Sequence, residues 1–122
     1  MTTLVRASAV IALVVSAARV GAQTLDTAFT GRVLGPLIAR ADTSNRYAAY
    51  IPRGYTGAHA APLLILLDPA GRADTALSRV TGAVQRLGWV ALSSYDARGD
   101  LTPAANQRIV NVMLSDAFSA FH

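Results

Sequence analysis

The chain has 122 residues, room for one domain of ordinary size. Apolar residues make up 52% and charged residues only 15%, against a usual charged share of about 25%, which excludes a disordered charged tail. Cysteine is absent, so neither a disulfide framework nor a thiolate metal site is available. All eleven basic residues are Arg and all seven acidic ones Asp, for a net charge of +4. That charge is spread along the chain, without the basic cluster and interleaved aromatics of a nucleic-acid surface.

Residues 1–22 have the layout of a secretory signal peptide. Arg6 supplies the positive start, residues 7–18 (ASAVIALVVSAA) an uncharged apolar stretch, and Val20-Gly21-Ala22 the small residues of a cleavage site. Twelve apolar residues are too few to cross a hydrocarbon core, which takes about 20, and Arg19 keeps the apolar stretch from running on. No membrane span is therefore expected to remain after cleavage. Losing Arg6 and Arg19 leaves nine Arg against seven Asp, a net charge of +2. An Ala-rich exported chain without Lys or Glu fits a bacterium with a GC-rich genome, and the periplasm or the medium as its destination.

After a lead-in over residues 23–31, residues 32–40 hold Val33, Leu34, Leu37 and Ile38 around Pro36. Proline costs a ladder hydrogen bond, so this strand belongs at a sheet edge. The polar cluster 41–45 is a turn. Residues 46–51 (RYAAYI) are a second short strand, stopped by Pro52 and Gly54, and the two make an antiparallel hairpin. Residues 63–67 are a continuous apolar run between Pro62 and Asp68-Pro69, the pattern of a strand buried on both faces.

Leu77, Val80, Val84 and Leu87 then recur at helical spacing, with Asp74 as N-cap and Gly88 as the stop. Residues 89–94 (WVALSS) are another strand. Strand, helix, strand over about 30 residues is a βαβ unit, with parallel strands and a right-handed crossover. Thr102 and Pro103 open a last helix, whose apolar stripe is Val110, Met113, Leu114, Ala117, Phe118 and Phe121. The class is α/β. A helix in this position ordinarily leads to a further parallel strand, so residues 23–122 are expected to be the first part of a larger fold.

Ligands of open α/β sheets bind at the carboxyl ends of the strands. That singles out Asp68-Pro69-Ala70-Gly71-Arg72 and the loop 95–101. The first has the residues of a type I turn and can aim backbone N–H groups at an oxyanion. Pro69 has no N–H, which leaves Ala70 and Gly71 as donors. In the second, Asp96 and Asp100 lack the spacing of a calcium loop and read as solvated charges, and Arg98-Gly99-Asp100 is too short a match to carry an adhesion role. His59 precedes the 63–67 strand and is expected to be exposed, and His122 is terminal. Ser93 and Ser94 end a strand outside any Gly-x-Ser-x-Gly elbow, which occurs nowhere in the chain. The chain therefore offers no catalytic nucleophile, no metal site and no cofactor site.

Three stretches carry a family resemblance: Tyr47-Ala48-Ala49-Tyr50-Ile51-Pro52-Arg53-Gly54-Tyr55, Ala61-Pro62-Leu63-Leu64-Ile65-Leu66-Leu67-Asp68, and Gly88-Trp89-Val90-Ala91. Their order and spacing resemble the opening of the α/β-hydrolases, nearest the secreted esterases grouped with polyhydroxybutyrate depolymerases and feruloyl esterases. The resemblance covers residues 46–94, and more loosely the helix over 106–121. It implies a serine hydrolase whose nucleophile elbow comes on the strand after the last helix, with acid and histidine later still. It places the oxyanion loop at Asp68-Pro69-Ala70-Gly71, where the family's usual His-Gly start is replaced. The implied substrate is a small or polymeric ester, and the chain alone is expected to be inactive. The alternative is a complete small exported α/β domain that binds or interacts without catalysis.

Overall fold

The structure, a computed structural model, describes residues 29–120. The expected signal peptide, most of the lead-in, Phe121 and His122 lie outside the described residues. The hairpin forms from β1 (Val33–Ile38) and β2 (Arg46–Tyr50), which pair antiparallel. Their register shifts between Leu34 and Leu37, where Pro36 cannot donate to the ladder. β1 is an edge strand, where that loss is tolerated.

β3 (Leu63–Leu66) and β4 (Val90–Ser94) are parallel, and β2 pairs antiparallel with β4, giving one four-stranded sheet in the order β1-β2-β4-β3. Every residue of β4 is buried, as its central position requires. β3 was expected to be buried on both faces, yet all four of its residues are only half-buried. The reason is lateral: β3 is the other edge, with a partner on one side alone, and Leu67 just beyond it is 50% exposed.

The single helix expected between the parallel strands is two, α1 (Ala73–Ser78) and α2 (Thr81–Leu87). The N-cap is Arg72 rather than Asp74, whose carboxylate instead accepts the Thr75 N–H at 2.9 Å. The break has a local cause. The Ser78 hydroxyl donates back to the Asp74 carbonyl at 2.7 Å, a contact that loosens a helix. The Val80 N–H then reaches the Leu77 carbonyl, a tightened i−3 bond, before the next helix starts. Leu77 and Val84 are fully buried, whereas Leu87, the last residue of α2, is exposed. Gly88 ends α2 as expected, at φ 69°, a left-handed conformation glycine adopts without strain.

α3 (Pro103–Ala120) starts at Thr102, whose hydroxyl accepts the Ala105 N–H at 3.2 Å. It packs on the face opposite α1 and α2. Tyr47, Ala49, Val90 and Leu92 meet Met113 and Ala117 on one side of the sheet, and Ala48, Tyr50 and Ala91 meet Ala73, Leu77 and Val84 on the other. The expected stripe on α3 is half right. Met113 and Ala117 are buried, while Phe118 is exposed and the buried face includes Asp116. That carboxylate is fully engaged: it accepts from the Tyr47 hydroxyl at 2.5 Å, Arg40 Nε at 2.9 Å and the Arg40 N–H at 3.2 Å. Burial works against its charge, but these hydrogen bonds prevail and hold its pKa below the ordinary value.

Candidate functional site

The carboxyl ends of β3 and β4 bring the two sequence-predicted loops side by side. The Gly99 N–H donates to the Pro69 carbonyl at 3.0 Å. Gly71 sits at φ 71°, and a Cβ there would collide with the Tyr95 carbonyl oxygen. Glycine is required at that position on both counts. Asn106, one turn into α3, clamps the second loop by accepting the Arg98 N–H at 3.0 Å and donating to the Arg98 carbonyl at 2.8 Å.

Asp68 organises the first loop from within. Its Oδ2 accepts the N–H groups of Ala70 at 2.9 Å and Arg72 at 3.1 Å, and Arg72 Nε at 3.1 Å, while Arg72 Nη2 reaches Oδ1 at 3.1 Å. The Arg72 side chain, followed by the backbone donors, holds the Asp68 pKa down at about 2. The Gly71 N–H closes the turn onto the Asp68 carbonyl at 2.9 Å. The two candidate oxyanion donors thus differ in availability. Gly71 is tied to a backbone carbonyl, whereas Ala70 is tied to the Asp68 side chain.

In the second loop, Asp96 is not the free solvated charge expected. It accepts the Arg46 N–H at 2.6 Å and Arg46 Nη2 at 2.9 Å, fixing the loop to the start of β2. Burial tends to raise its pKa, but the bonds from Arg46 carry it below the ordinary value. Asp100 is exposed, with Arg98 at 3.4 Å. The Ser94 hydroxyl accepts from the N–H groups of Asp96 and Ala97, so it is a loop cap. Ser93 is fully buried and its hydroxyl has no hydrogen-bond partner.

A cleft of about 570 Å³ opens at this end of the sheet between the 42–45 turn and α3, with Asp42, Asp96 and Arg108 on its walls. Neither Ala70 nor Gly71 lines it. His59 is exposed in the loop before β3, at the opposite end from these loops, and His122 lies outside the described residues. Among the described residues no three His, Asp, Glu or Cys side chains gather as metal ligands would, and no helix is long and apolar enough to cross a membrane.

The sequence reading did not find Asn106 or the part played by Asp68. Asp68 and Arg72 stand four residues apart, a spacing that could have flagged the pair. Asn106 gives no signal, because its partner is a backbone segment eight residues earlier. Comparison with protein-family models, curated proteins and solved structures finds no match.

Proposed function

We propose that residues 23–122 are the N-terminal part of an exported serine hydrolase, a carboxylic ester hydrolase working by acyl transfer in the periplasm or the medium. The observation that carries this reading is the placement of α3 on the face opposite α1 and α2, beside a β3 edge that is unpaired among the described residues. The crossover from β3 to β4 steps toward β2 over one face. A crossover starting from β4 over the other face keeps the right hand only by stepping the opposite way, past β3. A strand following α3 would then lie against β3, with its carboxyl end next to the 68–72 loop.

A nucleophile elbow at that strand end completes the chemistry the resemblance implies. Its serine attacks an ester carbonyl, a histidine takes the proton and returns it to the leaving alcohol, and water then releases the acid. The Ala70 N–H is the favoured oxyanion donor from this chain, provided the Asp68 carboxylate swings away when substrate enters. No cofactor takes part. The ester's identity depends on pocket walls that these residues do not supply.

Sequencing the gene beyond the codon for His122 tests the reading. An open frame running into a strand and Gly-x-Ser-x-Gly is expected. An immediate stop overturns it and leaves a small exported binding domain. The 122-residue chain itself is expected to hydrolyse no p-nitrophenyl ester. Turnover that a serine-directed phosphonate abolishes would count against the assignment of the nucleophile to a later segment.

A further inference from the structure

The described residues contain nine Arg, and carboxylates hold four of them: Asp116 pairs with Arg40, Asp96 with Arg46, Asp68 with Arg72 and Asp100 with Arg98. Of the other five, Arg32 and Arg53 line one place and Arg86 lies beside it. An open cleft of about 410 Å³ lies between the start of β1, the end of β2 and the helices α1 and α2, and Arg32 and Arg53 line it. Arg86 reaches back toward its rim, with Nη1 3.7 Å from where a Cβ on Gly82 would stand. Among the described residues, no Asp lines the cleft. Tyr50, at the floor, pairs with Ala91 near the start of β4. The cleft is therefore at the amino ends of the parallel strands, away from the 68–72 loop, and a ligand there would be independent of the hydrolase reading.

The cleft is built rather than incidental. Gln85 Oε1 accepts from the Tyr50 hydroxyl and from the Arg53 N–H, both at 2.8 Å, and Gln85 Nε2 donates to the Arg53 carbonyl at 3.3 Å. One side chain thus fixes the backbone on both sides of the Arg53 side chain. That side chain lies across Gly31, where a Cβ would overlap it, and the Gly31 N–H is anchored to the Ile51 carbonyl at 2.8 Å. Arg32 rests over the Phe29 ring, 5.5 Å from its centre, within range of a cation–π contact that orients its guanidinium.

Like charges gathered with no carboxylate among the described lining residues repel one another, and an anion that enters relieves the repulsion. Guanidinium forks match tetrahedral oxyanions, each offering paired donors to two oxygens. The volume lies in the range of small-ligand pockets, roughly 300–1,000 Å³. We infer that the cleft lined by Arg32 and Arg53, with Arg86 beside its Gly82 rim, is a binding site for a phosphate group, carried by a soluble phosphate or phosphate monoester, or by a lipid headgroup.

The test titrates the full chain with inorganic phosphate at low salt, following backbone amide shifts. Saturable binding that moves the Gly31 and Gly82 signals is expected. Arg32→Gln with Arg53→Gln should weaken it about tenfold or more, the loss of charge-assisted hydrogen bonds. Arg108→Gln, on α3 and outside the cleft, should change it less than about twofold. Thr81→Glu, which sets a carboxylate in the cleft, should abolish binding while the remaining amide spectrum reports an intact fold. Sedimentation with phosphatidylglycerol vesicles, reversed by inorganic phosphate and absent with phosphatidylcholine, would identify the headgroup as the source. Absence of saturable binding in both arms overturns the site, as does binding that Arg108→Gln weakens as much as the cleft variants do.

Discussion

Asp116 shows how far one side chain can matter in a core this small. Its carboxylate joins α3 to β2 through Tyr47 and to the turn between β1 and β2 through Arg40. Asp116→Ala leaves the Tyr47 hydroxyl and the Arg40 N–H without their acceptor, and should cost about 2–3 kcal/mol in urea unfolding. Tyr47→Phe removes one bond and leaves the carboxylate with Arg40, so about 1–2 kcal/mol is expected. Arg40→Ala should cost less than Asp116→Ala, because that guanidinium stands mostly in water. Asp68, Asp96 and Asp116 share a direction: the folded state lowers the pKa of each. Their stabilisation is present above the ordinary carboxylate value of 3.8 and is lost as pH falls through the lowered values, which reach about 2 at Asp68. Thermal midpoints should therefore be level from about pH 7 to 5 and drop between about 4 and 2. Of these pairings only Asp68–Arg72, four residues apart, has a readable spacing. Asp116 interrupts an apolar stripe, and its partners lie more than sixty residues away, out of reach of any local pattern.

Elements were more legible than contacts, and the misses have physical causes. Pro36 placed β1 at an edge, and the apolar run after Pro62 located β3, one residue longer than the strand that forms. The same run misled about burial, because periodicity reports the two faces of a strand and is silent on its lateral neighbours. The break between α1 and α2 was hidden because Leu77, Val80 and Val84 keep helical spacing across it. What interrupts them is hydroxyl back-bonding around Ser78, a competition between local bonds that a hydrophobic pattern does not register. At the candidate site the turn of 68–71 was readable from Asp-Pro-x-Gly, but its closure against the second loop was not. Gly71 is where that closure is most demanding. Gly71→Ala must hold a left-handed backbone and press a methyl group into the Tyr95 carbonyl. It should destabilise the protein by about 2 kcal/mol or more in thermal or urea unfolding. Gly88→Ala carries the strained φ with open space around it, and about 1 kcal/mol is expected. A Gly71 variant no worse than the Gly88 one would mean that the two loops are not pressed together.

The two edges of the described sheet differ. β1 closes one edge with a proline and a register shift, devices that discourage further pairing. β3 has neither: it is a short, apolar, parallel strand with one neighbour among the described strands, and Leu67 continues its edge into solvent. Phe118 adds another large exposed apolar side chain, on α3. Unpaired backbone donors and acceptors beside apolar side chains are a template for another strand, and exposed apolar surface of this kind binds hydrophobic dyes. The 122-residue chain should therefore self-associate as its concentration rises, in sedimentation velocity, and should enhance dye fluorescence while still folded. Leu67→Lys, which puts a charge at the end of that edge, should shift the distribution toward monomer. Phe118→Asp should reduce dye binding with less effect on strand pairing. If the wild-type chain stays monomeric and dark to the dye, β3 is not an acceptor for a further strand, and a strand after α3 has no place beside it.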